Sequence, residues 1–366
     1  MTLKFPLESV IFIILSIIIV RDSLVGDLYG TTGFNLLIFL LSSYLLLFTM
    51  KFSKLIIFMF LFISSLMLST LINHNAIEQG GYNTLVFFIV SLFLLSSIFK
   101  TIDNTQRLFK YIIFSTILFL VVIYFFYLFN FQLIPMRISY VLAGPYLNQN
   151  STSMILLALM TLLVVLNKST KISHLFIFML FISIILTQAR SALIAGVILL
   201  MYYYRKKLMI IIPLGLIGLF AFFSIYDKIY NRIYFKITEG GSSHRIEFWT
   251  YTISNISNDF IAFFFGNGIN STSINLLGGK LSVHSSYVNF FANYGFVSII
   301  LLVILLTYII YDAQKYSQLL AIGLLALLIH GLFETVLFSG FSITWMTFIL
   351  LYAMRKQLTK GQTCTY

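Results

Sequence analysis

The sequence predicts an all-α integral membrane protein, a bundle of about 12 transmembrane helices, and three observations predict it. Apolar residues fill 60% of the 366 positions and charged residues only 9%, whereas a soluble domain is roughly a quarter charged. Apolar runs recur from one end of the chain to the other, many of them approaching the roughly 20 residues that cross a hydrocarbon core of about 30 Å as helix. None has the short alternating pattern of a barrel strand. The third observation is a basic excess, 23 Lys and Arg against 11 Asp and Glu, which sorts to one side once the runs are laid out.

The runs fall at residues 5–20, 34–50, 55–72, 85–99, 111–129, 151–166, 175–186, 193–204, 209–224, 287–311, 319–333 and 341–354. The first is followed by Arg21 and Asp22 rather than by a small-residue cleavage site, so it is expected to stay in the mature protein. The two runs flanking Arg190 read as a short hairpin dipping from the outer face rather than as one interrupted helix. With the N-terminus inside, fifteen of the 23 basic residues, from Lys4 through Lys51, Lys100, Lys168 and Arg205 to Lys360, fall in cytoplasmic connectors. Only three acids, Glu8, Asp103 and Asp312, fall with them, so the whole net charge of +12 is cytoplasmic. Eight basic and eight acidic residues balance on the outer side. Both termini are then cytoplasmic. The positive charge is scattered over many connectors and topological in origin, which leaves no case for nucleic acid. The lone cysteine, Cys364, permits no disulfide within the chain and no thiolate metal site.

Residues 1–366 read as a single membrane domain, with the outer segment 225–283 as a lid; a connection of that length is more often functional than idle. Within it, residues 245–256 read as a helix lying in the interface, with Ile246, Trp249, Ile253 and Ile256 on one apolar face and Trp249 at headgroup depth.

The candidate functional residues cluster around this lid. His284 opens a membrane helix on the outer side among Ser282, Ser285 and Ser286. The partial positive charge of a helix start favours the neutral ring, which can accept a proton; a histidine merely hydrogen-bonded at the interface fits the same pattern. Val288, Phe291 and Gly295 share its helical face, and Gly295 leaves room for a neighbour to approach closely. Arg190, in TQARSAL, carries a guanidinium fork matched to phosphate oxygens, with snorkelling to lipid phosphates as the plainer use. Arg245 is a lid charge able to stack on Trp249. Arg137, with Lys228, Arg232 and Lys236, adds to an anion-attracting rim. Asn148 and Asn150, in LNQNSTS, read first as helix caps and second as hydrogen-bond donors to sugar or phosphate. Glu334 and Asp312 stand at span ends, against an ion-coupled transporter with buried carboxylates. The acids at helical spacing from a histidine, Glu247 after His244 and Glu334 after His330, supply too few ligands for a metal.

LNQNSTS, TQARSAL, SSHRIEFW followed by FFGNGI, and VHSSYVNFFANYGFVS occur in that order between residues 147 and 305. This arrangement resembles the O-antigen polymerases (Wzy) and O-antigen ligases (WaaL). In the family the histidine is usually followed by Asn, where this chain has Ser285, and Ser298 stands where Gly or Thr is commoner. The resemblance implies a GT-C glycosyltransferase of the bacterial inner membrane, acting without metal or cofactor at the periplasmic face on an undecaprenyl-diphosphate-linked oligosaccharide. It implies Arg190 and Arg245 on the diphosphate and His284 as the base. Asn148, Asn150, Arg137, Glu247, Trp249 and Tyr287 complete the expected substrate-binding set. One base and no carboxylate nucleophile imply a single, inverting displacement. The imperfect ligase motif and the compact chain favour a polymerase, joining repeat units, over a ligase acting on the lipid A core. A flippase for the same lipid needs a through-going polar pathway that the first half lacks. Membrane lipids and a chain-length regulator are the remaining expected partners.

Overall fold

The computed structural model of the chain describes residues 6–22, 32–49, 55–73, 81–96, 105–129, 142–146, 149–166, 170–207, 245–268, 274–276, 279–281, 284–335, 337–338 and 342–358. Eight helices come first: α1 (Leu7–Arg21), α2 (Thr32–Thr49), α3 (Leu55–Ile72), α4 (Gly81–Ser96), α5 (Thr105–Leu128), α6 (Gln149–Leu166), α7 (Lys171–Thr187) and α8 (Arg190–Tyr203). The lid contributes α9 (Arg245–Ser257), α10 (Phe260–Phe265) and a two-stranded antiparallel ribbon, β1 (Ile274–Leu276) with β2 (Gly279–Leu281). Then follow α11 (Ser286–Tyr316), α12 (Gln318–Phe333), α13 (Ile343–Ala353) and α14 (Arg355–Leu358). Every expected apolar run except 209–224, which lies outside the described residues, is a helix.

Leu55–Ile72, Gln106–Leu128, Gln149–Leu166 and Ser286–Tyr316 are long and apolar enough to cross a membrane, with mean hydropathies from 1.7 to 2.6. Burial sorts the helices. All of α13 is buried, as is α6 from Thr152 onward, so these two form the centre of the bundle. The helices around them turn large apolar side chains outward, among them Ile57 and Leu71 on α3, Leu118 and Val121 on α5, and Phe178 on α7. A water-facing surface of this kind is an aggregation liability. A bilayer accommodates it, because lipid tails are as apolar as the side chains.

The helices alternate in direction. Tyr202 Oη donates to Gln318 Oε1 (2.5 Å), so the end of α8 meets the start of α12 and the two run antiparallel. His174 Nδ1 lies 2.8 Å from Tyr204 Oη, closing α7 and α8 into a hairpin at its lower end. At the upper end that hairpin turns at Gln188, whose left-handed φ of 57° stops α7. The expected break before Arg190 is therefore present as two helices. Ser317 ends α11 and caps α12 in the same residue, its Oγ accepting from Leu320 N (3.3 Å). One serine thus turns the chain through a tight reversal, satisfying a helix-start N–H that has no partner inside the helix.

The segment carrying α10 is fastened to the upper part of α11 through two glycines. Gly295 breaks α11 at φ 77°, and a Cβ there would land on the backbone of Phe264 and Phe265. Gly266, also at φ 77°, would put its Cβ on the backbone of Asn293 and Tyr294. Both positions need φ > 0 and close approach, which only glycine permits without strain. Asn267 N donates to Ala292 O (2.8 Å), and Ser69 of α3 and Asn73 just after it both donate to Phe265 O. The close approach expected at Gly295 is made, by a short lid helix at a kink rather than by a spanning helix on a straight face.

The expected helix at 245–256 is present as α9, but its apolar face divides. Ile256 is buried with Ala262 and Ala292, and Trp249 packs on Phe333 with ring centroids 6.3 Å apart, whereas Ile246 and Ile253 are exposed. The reason is rotational: positions seven apart return to one azimuth, so 249 and 256 form one stripe and 246 and 253 another.

Candidate functional site

The upper end of the bundle gathers its polar groups around Glu334. This residue follows α12 directly and is 6% exposed. A carboxylate so placed is costly unless paired and hydrogen-bonded, and three distant parts of the chain supply partners. Arg245, at the start of α9, donates from one terminal nitrogen to Glu334 Oε1 (2.9 Å) and from the other to Phe333 O (2.6 Å). Asn150, in the first turn of α6, donates to the same Oε1 (3.0 Å). His284 Nδ1 stands 3.8 Å from Oε2. Burial pushes the carboxyl upward, but the His284 contact and the Arg245 charge outweigh it and hold Glu334 below its ordinary range.

The backbone fixes the carboxylate as firmly as the side chains do. Ser286 donates to Glu334 O from both N (3.1 Å) and Oγ (2.6 Å), and its Oγ accepts from Leu337 N (2.9 Å). The stretch after α12 is thereby stitched to the start of α11. Phe338, at φ 60°, carries its ring among Phe88, Phe290, Tyr287 and Trp345.

His284 does not open α11 itself. Ser285 is the cap, with its Oγ accepting from Val288 N (3.4 Å), and His284 precedes it at a left-handed φ of 48°. The expectation that His284 begins the helix is thus corrected by one position, and a carboxylate faces its Nδ1. Its side chain is 41% exposed. Asn150 lies inside α6, and its side chain bonds the acid instead of capping the helix. Arg245 likewise grips Glu334 and Phe333, with Trp249 laid on Phe333 beside it. Glu247 stands in the first turn of α9.

Arg190 is exposed at the head of α8. The antiparallel pairing of α8 with α12 places it at the same end as Glu334. Tyr287 Oη donates to Leu328 O (3.2 Å), and its ring borders a groove of about 440 Å³ between α11 and α12 whose walls include Val303, Leu306, Ile310 and Leu328. Arg137 and Asn148 lie outside the described residues.

The chain matches no family model and no curated protein.

Glu334, the hub, was not among the expected site residues. An acid just past an apolar run reads the same in sequence whether it is solvated or buried, and its partners lie 50 to 184 positions away. The available signal was the spacing of His330 and Glu334, one helical turn apart at the end of an otherwise apolar helix; ionisable groups in that setting are functional by default.

Proposed function

We propose that the chain is a membrane glycosyltransferase, an O-antigen polymerase that joins undecaprenyl-diphosphate-linked oligosaccharide repeat units at the periplasmic face of the bacterial inner membrane. The observation that carries this reading is the convergence of His284, Arg245 and Asn150 on one buried carboxylate at the end of the bundle where Arg190 also lies. The Nδ1–H of His284 donates to Glu334 Oε2 once that contact closes, so the lone pair of the neutral ring sits on Nε2. Nε2 accepts the proton of the acceptor sugar hydroxyl as that oxygen bonds to the anomeric carbon of the donor. The bond from that carbon to the diphosphate oxygen breaks, and the polyprenyl diphosphate leaves with the electron pair. Arg190 and Arg245 offset the charge that develops on it. Histidine to carboxylate contacts often tighten only with substrate bound, and the 3.8 Å separation leaves that closure to make. The apolar groove under Tyr287 suits one stretch of a prenyl chain.

Restoring the chain to a strain deleted for it should restore a ladder of surface polysaccharide on a gel. His284→Ala and Arg190→Ala should reach the membrane at normal levels and leave only single repeat units, with activity down about a hundredfold or more. Two fully active variants would overturn the assigned roles. Purified protein given a lipid A core acceptor separates the ligase reading: transfer to that core, without chain growth, identifies a ligase.

A further inference from the structure

His330 lies on α12, one turn before Glu334, and is fully buried. Neither ring nitrogen has a hydrogen-bond partner among the described residues. Buried polar atoms are nearly always paired, and an exception points to a role or to a bound water. The exception has company. Thr344 and Thr347, in the first turns of α13, have buried hydroxyls that are likewise unpartnered, and α13 packs against α12. α13 starts at the upper end, where α12 finishes, so all three residues lie near that end of two packed helices. A buried water needs two to four polar partners, and this group offers them in an otherwise apolar centre.

We propose that His330 holds a buried water against the Glu334 carboxylate and is a positioning residue for the acid that orients His284. The catalytic part of this inference rests on the transferase reading; the water site does not. One ring nitrogen donates and the other accepts, so an imidazole relays a hydrogen bond from the threonine hydroxyls toward the acid where an aliphatic side chain cannot. The ionisable groups at this end of the elements packed around it are Glu334, Arg245 on α9, His284 and Tyr287 at the start of α11, and Arg190 at the head of α8.

The test uses the full-length protein in lipid nanodiscs with ¹⁵N-labelled histidine. His330 signals, assigned by their loss in His330→Asn, should correlate with water protons although the residue is shielded from bulk solvent. In the transfer assay, His330→Leu should lower kcat/KM about tenfold, the size of one lost water-mediated hydrogen bond, and displace the pH midpoint of the rate. His330→Gln, which keeps a donor and an acceptor, should recover most of the rate and the wild-type midpoint. A dry His330 ring, or a Leu variant whose pH profile matches wild type, overturns the proposal. A Gln variant as slow as Leu, with an unmoved midpoint, reduces His330 to packing and overturns it too. Should the wild-type protein show a wet His330 yet transfer no sugar, the transferase reading falls and the water site stands.

Discussion

Two acids near helix ends organise the two ends of this bundle, and they do so differently. At the lower end, Asp312 of α11 accepts from Arg355 Nε (3.0 Å) and Tyr352 Oη (2.9 Å), with Lys315 at 3.9 Å. Arg355 is 2% exposed, lies 3.9 Å from the centre of the Tyr352 ring and also donates to Tyr352 O. All these partners come from the last quarter of the chain. At the upper end, Glu334 draws its partners from α6, α9 and the start of α11. The described non-glycine residues with left-handed backbone, Gln188, His284 and Phe338, all lie at the upper end. Left-handed non-glycine backbone, a strained conformation, is thus gathered at one end among the described residues. The lower cluster is a closed lock, and the upper one holds an exposed imidazole against a buried acid.

That difference sets what each end should tolerate. The largest effect on stability is expected at the lock. Arg355→Ala strips the main charge from a nearly buried pair and should cost about 3 kcal/mol, with the transfer rate per folded molecule unchanged; thermal unfolding in detergent alongside the rate checks both. A variant that folds normally would show the lock to be dispensable. Gly295→Ala comes next, at roughly 2 kcal/mol for a side chain forced into a left-handed position against the Phe264 backbone. Limited proteolysis should then cut the lid segment around α10 first, which sharpens the claim that this segment is pinned to the upper end.

Glu334→Gln should cost less, about 1 kcal/mol near neutral pH, because the amide oxygen still accepts from Arg245 and Asn150. Its signature is in the pH dependence. The folded carboxyl is held below its ordinary value of 4.5, so its contribution is complete above that value and is lost as pH falls through the lower folded one. Melting temperatures measured from pH 6 downward (a range on the order of two to three units below it) should fall more steeply for wild type than for the Gln variant. Parallel curves would mean that the acid is not held by its neighbours. The smallest effect belongs to Ile253→Ser on the outward stripe of α9, within about 0.5 kcal/mol.

Much of the bundle was legible in sequence because its signal is local. Apolar runs mark spans, and the Ser–Ser start before Tyr287 marks where α11 begins. His284 and Arg245 were also legible, as charged or titratable residues interrupting an apolar text. What escaped notice was pairing. Asn150 looks like a cap because the sequence shows its helix and not the acid it meets. Ile246 and Ile253 look like the inner face of α9 because a stripe of four apolar positions hides a rotation that only packing resolves. His330 reads in sequence only as a potential metal ligand, since burial without a partner has no sequence signature.

We propose that glycosyl transfer at the upper cluster runs through His284. Its most direct test is chain growth by purified protein in nanodiscs on lipid-linked repeat units, comparing wild type with His284→Ala and with Arg355→Lys as a control at the opposite end. Growth is expected from wild type and the control, with a loss of about a hundredfold or more for His284→Ala and all three equally folded. Equal growth by His284→Ala would contradict it.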